Sequence, residues 1–196
     1  MYSLYLGIAA FLLFLLYDIN SFTRNFRLPR AFFSVGILLI ITASILDLLS
    51  AWKAGAFSGI LDVLFLVVGA LCFLALIYSL FFALPFQETY TQQKNDRAVC
   101  SNGVYALCRH PGVLFFWFMY FFLGLAALPH KLIINGMIFS TLNLLYAWFQ
   151  DCVTFPKTFC DYRDYQKKVP FLIPTKASIR KAQKTLPHSH NEEDYS

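Results

Sequence analysis

Residues 63–84 read VLFLVVGALCFLALIYSLFFAL, from Val63 to Leu84, without one charged side chain. A soluble core does not require so long an apolar run, whereas a hydrocarbon layer of roughly 30 Å requires about 20 apolar residues per helix. Working outward, residues 31–52 form a second such block with one charge, Asp47. Residues 1–17 form another, and residues 113–128 and 132–149 form two more, split by Pro129-His130-Lys131. The composition agrees: 58% of the chain is apolar and 14% charged, against about a quarter charged in soluble domains. The expected fold is an all-α integral membrane protein of about five transmembrane helices. Residues 1–17 read as a retained span, because no basic segment precedes them and no small-residue cleavage site follows.

Basic residues orient the spans. The segment 18–30 holds Arg24, Arg27 and Arg30, and the segment 85–112 holds Lys94, Arg97 and Arg109. The chain after residue 150 holds eight more, while the two remaining connections hold Lys53 and Lys131 alone. Such an alternation predicts an N-terminus outside and a C-terminus in the cytoplasm. Topology and anionic lipid then account for the net charge of +5, and nucleic acid is not needed. Five cysteines are an odd number, and Cys100, Cys108, Cys152 and Cys160 fall on the expected cytoplasmic side, so they read as free thiols. Their eight-residue spacing does not suit zinc, whose ligands usually stand two to four residues apart. No metal is expected.

The chain reads as one domain over 1–175, followed by a basic and then polar tail, 176–196, expected to be disordered. Within the domain, residues 157–168 read as a short amphipathic cytoplasmic helix, with Phe159, Tyr162 and Tyr165 on its apolar face. Val169-Pro170 ends it, and Phe171-Leu172-Ile173-Pro174 forms an apolar patch that dips into the interface or packs on the body. Asp47 and Asp62 are expected near the outer ends of their helices, hydrated or paired. Gly136, Ser140, Asn143 and Ala147 form a small-residue strip suited to close helix packing.

The stretch that points to chemistry is Asn102-Gly103-Val104-Tyr105-Ala106-Leu107-Cys108-Arg109-His110-Pro111. Asn-Gly marks a turn, and Pro111 suits the first position of a helix. Helix N–H groups, the dipole, Arg109 and His110 thus gather at one membrane surface, a site for a carboxylate or phosphate. The alternative is plainer: Arg109 reaches lipid phosphate and His110 only caps the helix.

Gly103-x-Tyr105, then Arg109-His110-Pro111, a two-helix hairpin, Phe159-Cys160-x-Tyr162-x-x-Tyr165, Val169-Pro170 and Pro174 together resemble the membrane methyltransferase superfamily. Its members include isoprenylcysteine carboxyl methyltransferases and phospholipid N-methyltransferases. The resemblance covers residues 97–175. It implies S-adenosylmethionine as cofactor and a lipid or lipidated acceptor reached from the bilayer. It also implies Gly103, Tyr105, Arg109, His110, Pro111, Tyr162 and Tyr165 at the cofactor, with Arg109 and Asp151 in catalysis. The chemistry is congruent: Arg109 and His110 suit a methionine carboxylate, a tyrosine face suits adenine or a sulfonium, and an acid can orient the acceptor.

The chain departs from the family pattern at Val113, where tyrosine is usual, at Phe115, where a small residue is usual, and at Cys160, where glycine is usual. The family's glutamate pair falls on Asp151 and Cys152, so one acid is shortened and one replaced. Two further readings follow. One is a non-catalytic relative that serves as a membrane binding or scaffold module. The other is a sterol-reductase-like oxidoreductase, whose Asn-Tyr after the proline and later Gly-Glu are missing here.

Overall fold

The computed structural model describes residues 2–23, 31–83, 98–99, 101–128 and 130–185. Arg24, Arg27, Arg30, Lys94, Arg97, Cys100, Pro129 and the tail 186–196 lie outside the described residues. The described chain is helical, with no strand. In order come α1 (Tyr2–Phe22), α2 (Ala31–Lys53) and α3 (Ile60–Ile77), which widens into a π-helical turn, Tyr78–Phe82. Then follow the one-turn α4 (Val104–Leu107), α5 (Pro111–Ala126) and α6 (Leu132–Phe149). A second π-helical turn, Gln150–Thr154, and a short extension, Phe155–Thr158, prolong α6 before α7 (Tyr162–Lys168) and α8 (Lys176–Thr185).

Among the described residues, four helices are long and apolar enough to cross a membrane: Tyr2–Phe22, Ala31–Lys53, Ile60–Phe82 and Leu132–Thr158. The fifth expected span, α5, is apolar but shorter, at 16 residues. At 1.5 Å per residue it is about 24 Å long.

The helices pack side by side in a row. α3 packs on α5, α5 on α6, α6 on α1, and α1 on α2. Ala10, Phe11, Phe14, Ala43, Leu76, Met119, Tyr120 and Phe139 form the shared core, while large apolar side chains such as Leu38, Leu64, Leu71 and Leu145 remain outward-facing. That inversion suits lipid, where packing and small residues, rather than water exclusion, hold helices together. The expected strip on α6 behaves accordingly: Gly136, Ser140 and Ala147 are buried, and Tyr120 of α5 lies against Gly136.

Gly124 shows how tight the α5–α6 hairpin is. A Cβ there would stand 2.9 Å from the backbone Cα of Ile133, so the helices themselves must move. We expect Gly124→Ala to cost about 1–3 kcal/mol through overpacking, read as a lowered thermal midpoint in detergent.

Near the N-terminus, polar groups tie α1, α2 and α6. Asp47 of α2, only 5% exposed, accepts from the Ser3 hydroxyl at 2.7 Å and from the Asn135 amide at 2.9 and 3.1 Å. Asp47 is therefore paired and buried rather than hydrated. Asp62 instead accepts the Gly59 backbone N–H at 2.8 Å, closing the start of α3.

Two expectations about the C-terminal region need correction. The helix expected over 157–168 is interrupted: the chain leaves helical geometry at Phe159, which is extended, and restarts at Tyr162. Phe159, Tyr162 and Tyr165 still gather, because Phe155, Val99 and Val169 give them a common apolar contact. Residues 176–185, expected as the start of a disordered tail, form α8. Its Ser178 and Ala182 are buried and it packs on α4, a support that composition does not disclose. Thr175 and Ser178 cap it reciprocally, the arrangement that satisfies otherwise orphaned first-turn N–H groups.

Candidate functional site

Gly103 turns the chain with φ 57° and ψ −128°, a region essentially closed to side-chain-bearing residues. Its N–H donates to the Thr185 hydroxyl of α8 at 3.0 Å. After the single turn of α4 the chain becomes extended at Cys108. There the Arg109 and His110 N–H groups donate to the carbonyls of Pro170 and Phe171, at 2.9 and 3.2 Å. Pro111 then opens α5 at the position expected for it. The segment before α5 and the segment after α7 are thus joined through their backbones.

Side chains complete the junction around Asp151, which is 4% exposed. Arg109 binds it in bidentate fashion, Nε to Oδ1 at 2.8 Å and Nη2 to Oδ2 at 2.9 Å. Arg109 Nη1 donates to the carbonyls of Gln166 and Val169 at 3.0 and 2.7 Å. The Tyr162 hydroxyl donates to Oδ1 at 2.6 Å, and the Gln166 amide donates to Oδ2 and to the Asp151 carbonyl. His110 Nε2 lies 3.2 Å from Oδ1; with a proton on that nitrogen it is a further donor.

The π-helical turn explains why one short segment serves two sides. The extra residue in its turn re-aims consecutive side chains, which is why such bulges recur at functional sites. Asp151 faces Arg109, while Gln150 and Thr154 meet Asp18 of α1. The other π-helical turn does similar service, since the Ser79 carbonyl accepts from the Tyr105 hydroxyl at 2.8 Å. The Tyr165 hydroxyl in turn donates to the Tyr105 carbonyl at 2.7 Å.

Aromatic rings seal the cluster. His110 stacks on Phe155, with ring centroids 5.8 Å apart and planes 11° from parallel, and meets Phe171 edge-on at 5.0 Å. The Arg109 guanidinium also lies over Phe171, 5.7 Å from its centre. Burial, and then the Asp151 carboxylate that accepts its hydrogen bond, push the Tyr162 phenol well above its ordinary range, so Tyr162 stays a donor at any physiological pH. Burial also pushes the Cys108 thiol up to about 11. Cys152 and Cys160 are exposed. Maleimide labelling at pH 8 is expected to modify Cys152 and Cys160 and spare Cys108, as read by peptide mass mapping.

Of the site residues singled out from sequence, Arg109, His110, Asp151 and Tyr162 meet in this cluster, Pro111 follows it, Tyr105 and Tyr165 bond to each other beside it, and Gly103 lies against α8 instead. Arg109 does not reach into lipid, and the His110 side chain makes no helix-capping bond. Gln166 and Phe155 are not singled out by the sequence, while Phe171, expected in an apolar patch that dips into the interface or packs on the body, packs on His110 and Arg109. Gln166 was within reach, because it sits four residues after Tyr162 on the same helical face. The contacts of Phe155 and Phe171 with His110 depend on tertiary structure and leave no local signal.

Comparison with family models, curated proteins and solved structures finds no match. The site therefore has to be judged on its chemistry. S-adenosylmethionine presents a carboxylate, an ammonium, a sulfonium and an adenine, and the cluster holds suitable groups in kind: a guanidinium, an imidazole, a carboxylate and phenol rings. It also turns them toward one another. Arg109 gives all three nitrogens to Asp151 and to backbone carbonyls, and both Asp151 oxygens are engaged.

Proposed function

We propose that this chain is a membrane-embedded, S-adenosylmethionine-dependent methyltransferase acting on a lipophilic or amphipathic acceptor at the cytoplasmic membrane face. One observation carries the reading: the Arg109-His110-Pro111 segment and the Asp151–Phe171 segment, about 40 residues apart in sequence, meet in one buried polar cluster. Its depth suits an acceptor reached from the bilayer. α5 and α6 are joined by a short connection, so their far ends share a level. Asp151 then lies about 28 Å along the helix from Leu132, near the edge of a hydrocarbon layer of roughly 30 Å. An N-terminus outside and a C-terminus in the cytoplasm belong to the same proposal.

When bound, S-adenosylmethionine supplies an electrophilic methyl group. Four of the five Arg109 N–H groups are engaged within the cluster, so the remaining Nη2 N–H, with the His110 imidazole, would hold its carboxylate, and Tyr105 and Tyr165 would border it. Asp151 has a positioning role, because a carboxylate engaged by guanidinium, phenol and amide donors fixes Arg109 and His110 in place rather than taking up protons. Positioning is most of what an in-line methyl transfer requires.

A second reading, the non-catalytic relative, is favoured by the same donor set: a cluster that spends four of the five Arg109 N–H groups internally serves as a structural lock. Isothermal titration of S-adenosylmethionine into the chain in lipid nanodiscs separates the two. The methyltransferase reading expects saturable binding that Arg109→Ala abolishes and His130→Ala, at the opposite end of α6, leaves unchanged. It further expects methyl release when labelled cofactor is supplied with membrane extract. No binding heat, or binding indifferent to Arg109, refutes it and leaves the structural lock.

A further inference from the structure

α8 carries a charge pattern that the proposed reaction does not use. Lys176, Arg180 and Lys184 recur at every fourth residue and all three are exposed. At 3.6 residues per turn this row lies opposite Ser178 and Ala182, the pair buried against the body. Ile179, 40% exposed, stands on the flank between the basic row and the buried side, and Ile173, 80% exposed, precedes the helix.

We propose that α8 is an interfacial anchor that lies on the bilayer holding the chain and recognises its anionic lipid headgroups. The inference is independent of the methyltransferase reading. Three observations favour lipid over an acidic protein as the occupant. Cations and exposed isoleucines are adjacent, the pattern of helices lying in the headgroup plane. The helix is already tethered to a membrane body through Gly103, Thr185 and α4. Finally, Phe171, which leads into the exposed Ile173, packs on His110 and Arg109 next to α5, which holds the connection near the membrane surface. Anionic lipid attracts each nearby Lys or Arg by about 1 kcal/mol, so the row gives selectivity for an anionic over a neutral surface. Ordering α8 also holds Gly103 and the turn that leads to Arg109.

The test is hydrogen exchange, followed by mass spectrometry, on the full chain in nanodiscs of phosphatidylcholine alone or mixed with phosphatidylglycerol. Exchange across residues 176–185 is expected to be at least about tenfold slower in the anionic discs, from the attraction per charge just given, and the difference should shrink with added salt. The triple variant K176Q/R180Q/K184Q, which keeps good helix formers, should lose the difference, and K176R/R180K/K184R should keep it. Equal exchange in the two lipids overturns the proposal, as does a difference that survives in the glutamine variant. Should both variants exchange fast in both lipids, the row would be structural and the proposal equally overturned.

Discussion

Arg109→Ala should destabilise the chain by about 3–5 kcal/mol, the cost typical of removing one partner from a buried ion pair. The reason lies in what stays behind. Asp151 is 4% exposed and would lose both guanidinium bonds, while the carbonyls of Gln166 and Val169 would lose the donor that satisfies them. Water cannot easily replace these bonds, because Phe155 and Phe171 flank the neighbouring His110. In a chain of this size the effect corresponds to a drop of roughly ten degrees in thermal midpoint, measurable by fluorescence on protein in nanodiscs. Arg109→Lys should recover only part of it, since an ammonium cannot span both carboxylate oxygens. The contrasting case is Lys167→Ala. Lys167 and Asp164 pair at 2.8 Å with side chains 75% and 67% exposed, and no measurable change is expected.

The second large effect concerns the pair as a unit. Asp151→Ala alone should be about as damaging as Arg109→Ala, because it strands a buried guanidinium together with the Tyr162 and Gln166 donors. The double replacement Arg109→Met with Asp151→Leu removes both charges and keeps much of the volume. Its cost should fall short of the sum of the two alanine substitutions by at least about 2 kcal/mol, as seen where buried ion pairs are exchanged for apolar groups. Additive costs would mean that the two side chains act separately. The double variant also bears on function: a stable protein that no longer binds S-adenosylmethionine would separate the architectural task of the pair from its task at the cofactor.

Much of the architecture was legible in the sequence because hydrocarbon imposes a length and a composition that no soluble core requires. The run from Val63 to Leu84 is sufficient to announce a span, and Pro111 announces the start of α5. Arg109, His110, Asp151 and Tyr162 could be singled out, but the sequence does not reveal that they bind one another. That depends on the π-helical turn at Gln150–Thr154 and on Pro170 and Phe171 returning beneath α5, and neither has a local propensity signal. Asp47 was open between hydration and pairing because its partners, Ser3 and Asn135, lie 44 and 88 residues away. α8 escaped notice because its sequence, KASIRKAQKT, is polar; the helix is held by α4 and by its Thr175–Ser178 cap. The shortness of α5 goes with the non-helical backbone at Cys108 and His110, which brings the polar cluster up to the start of the apolar helix.

The convergence of two distant segments underlies the methyltransferase reading, and photocross-linking tests it directly. A benzoyl-phenylalanine placed at Phe171, whose ring lies 5.0 Å from that of His110, should cross-link in nanodiscs to the peptide that contains Cys108, Arg109 and His110. Cross-links found instead only in lipid, or in peptides from α2 or α3, would contradict the account.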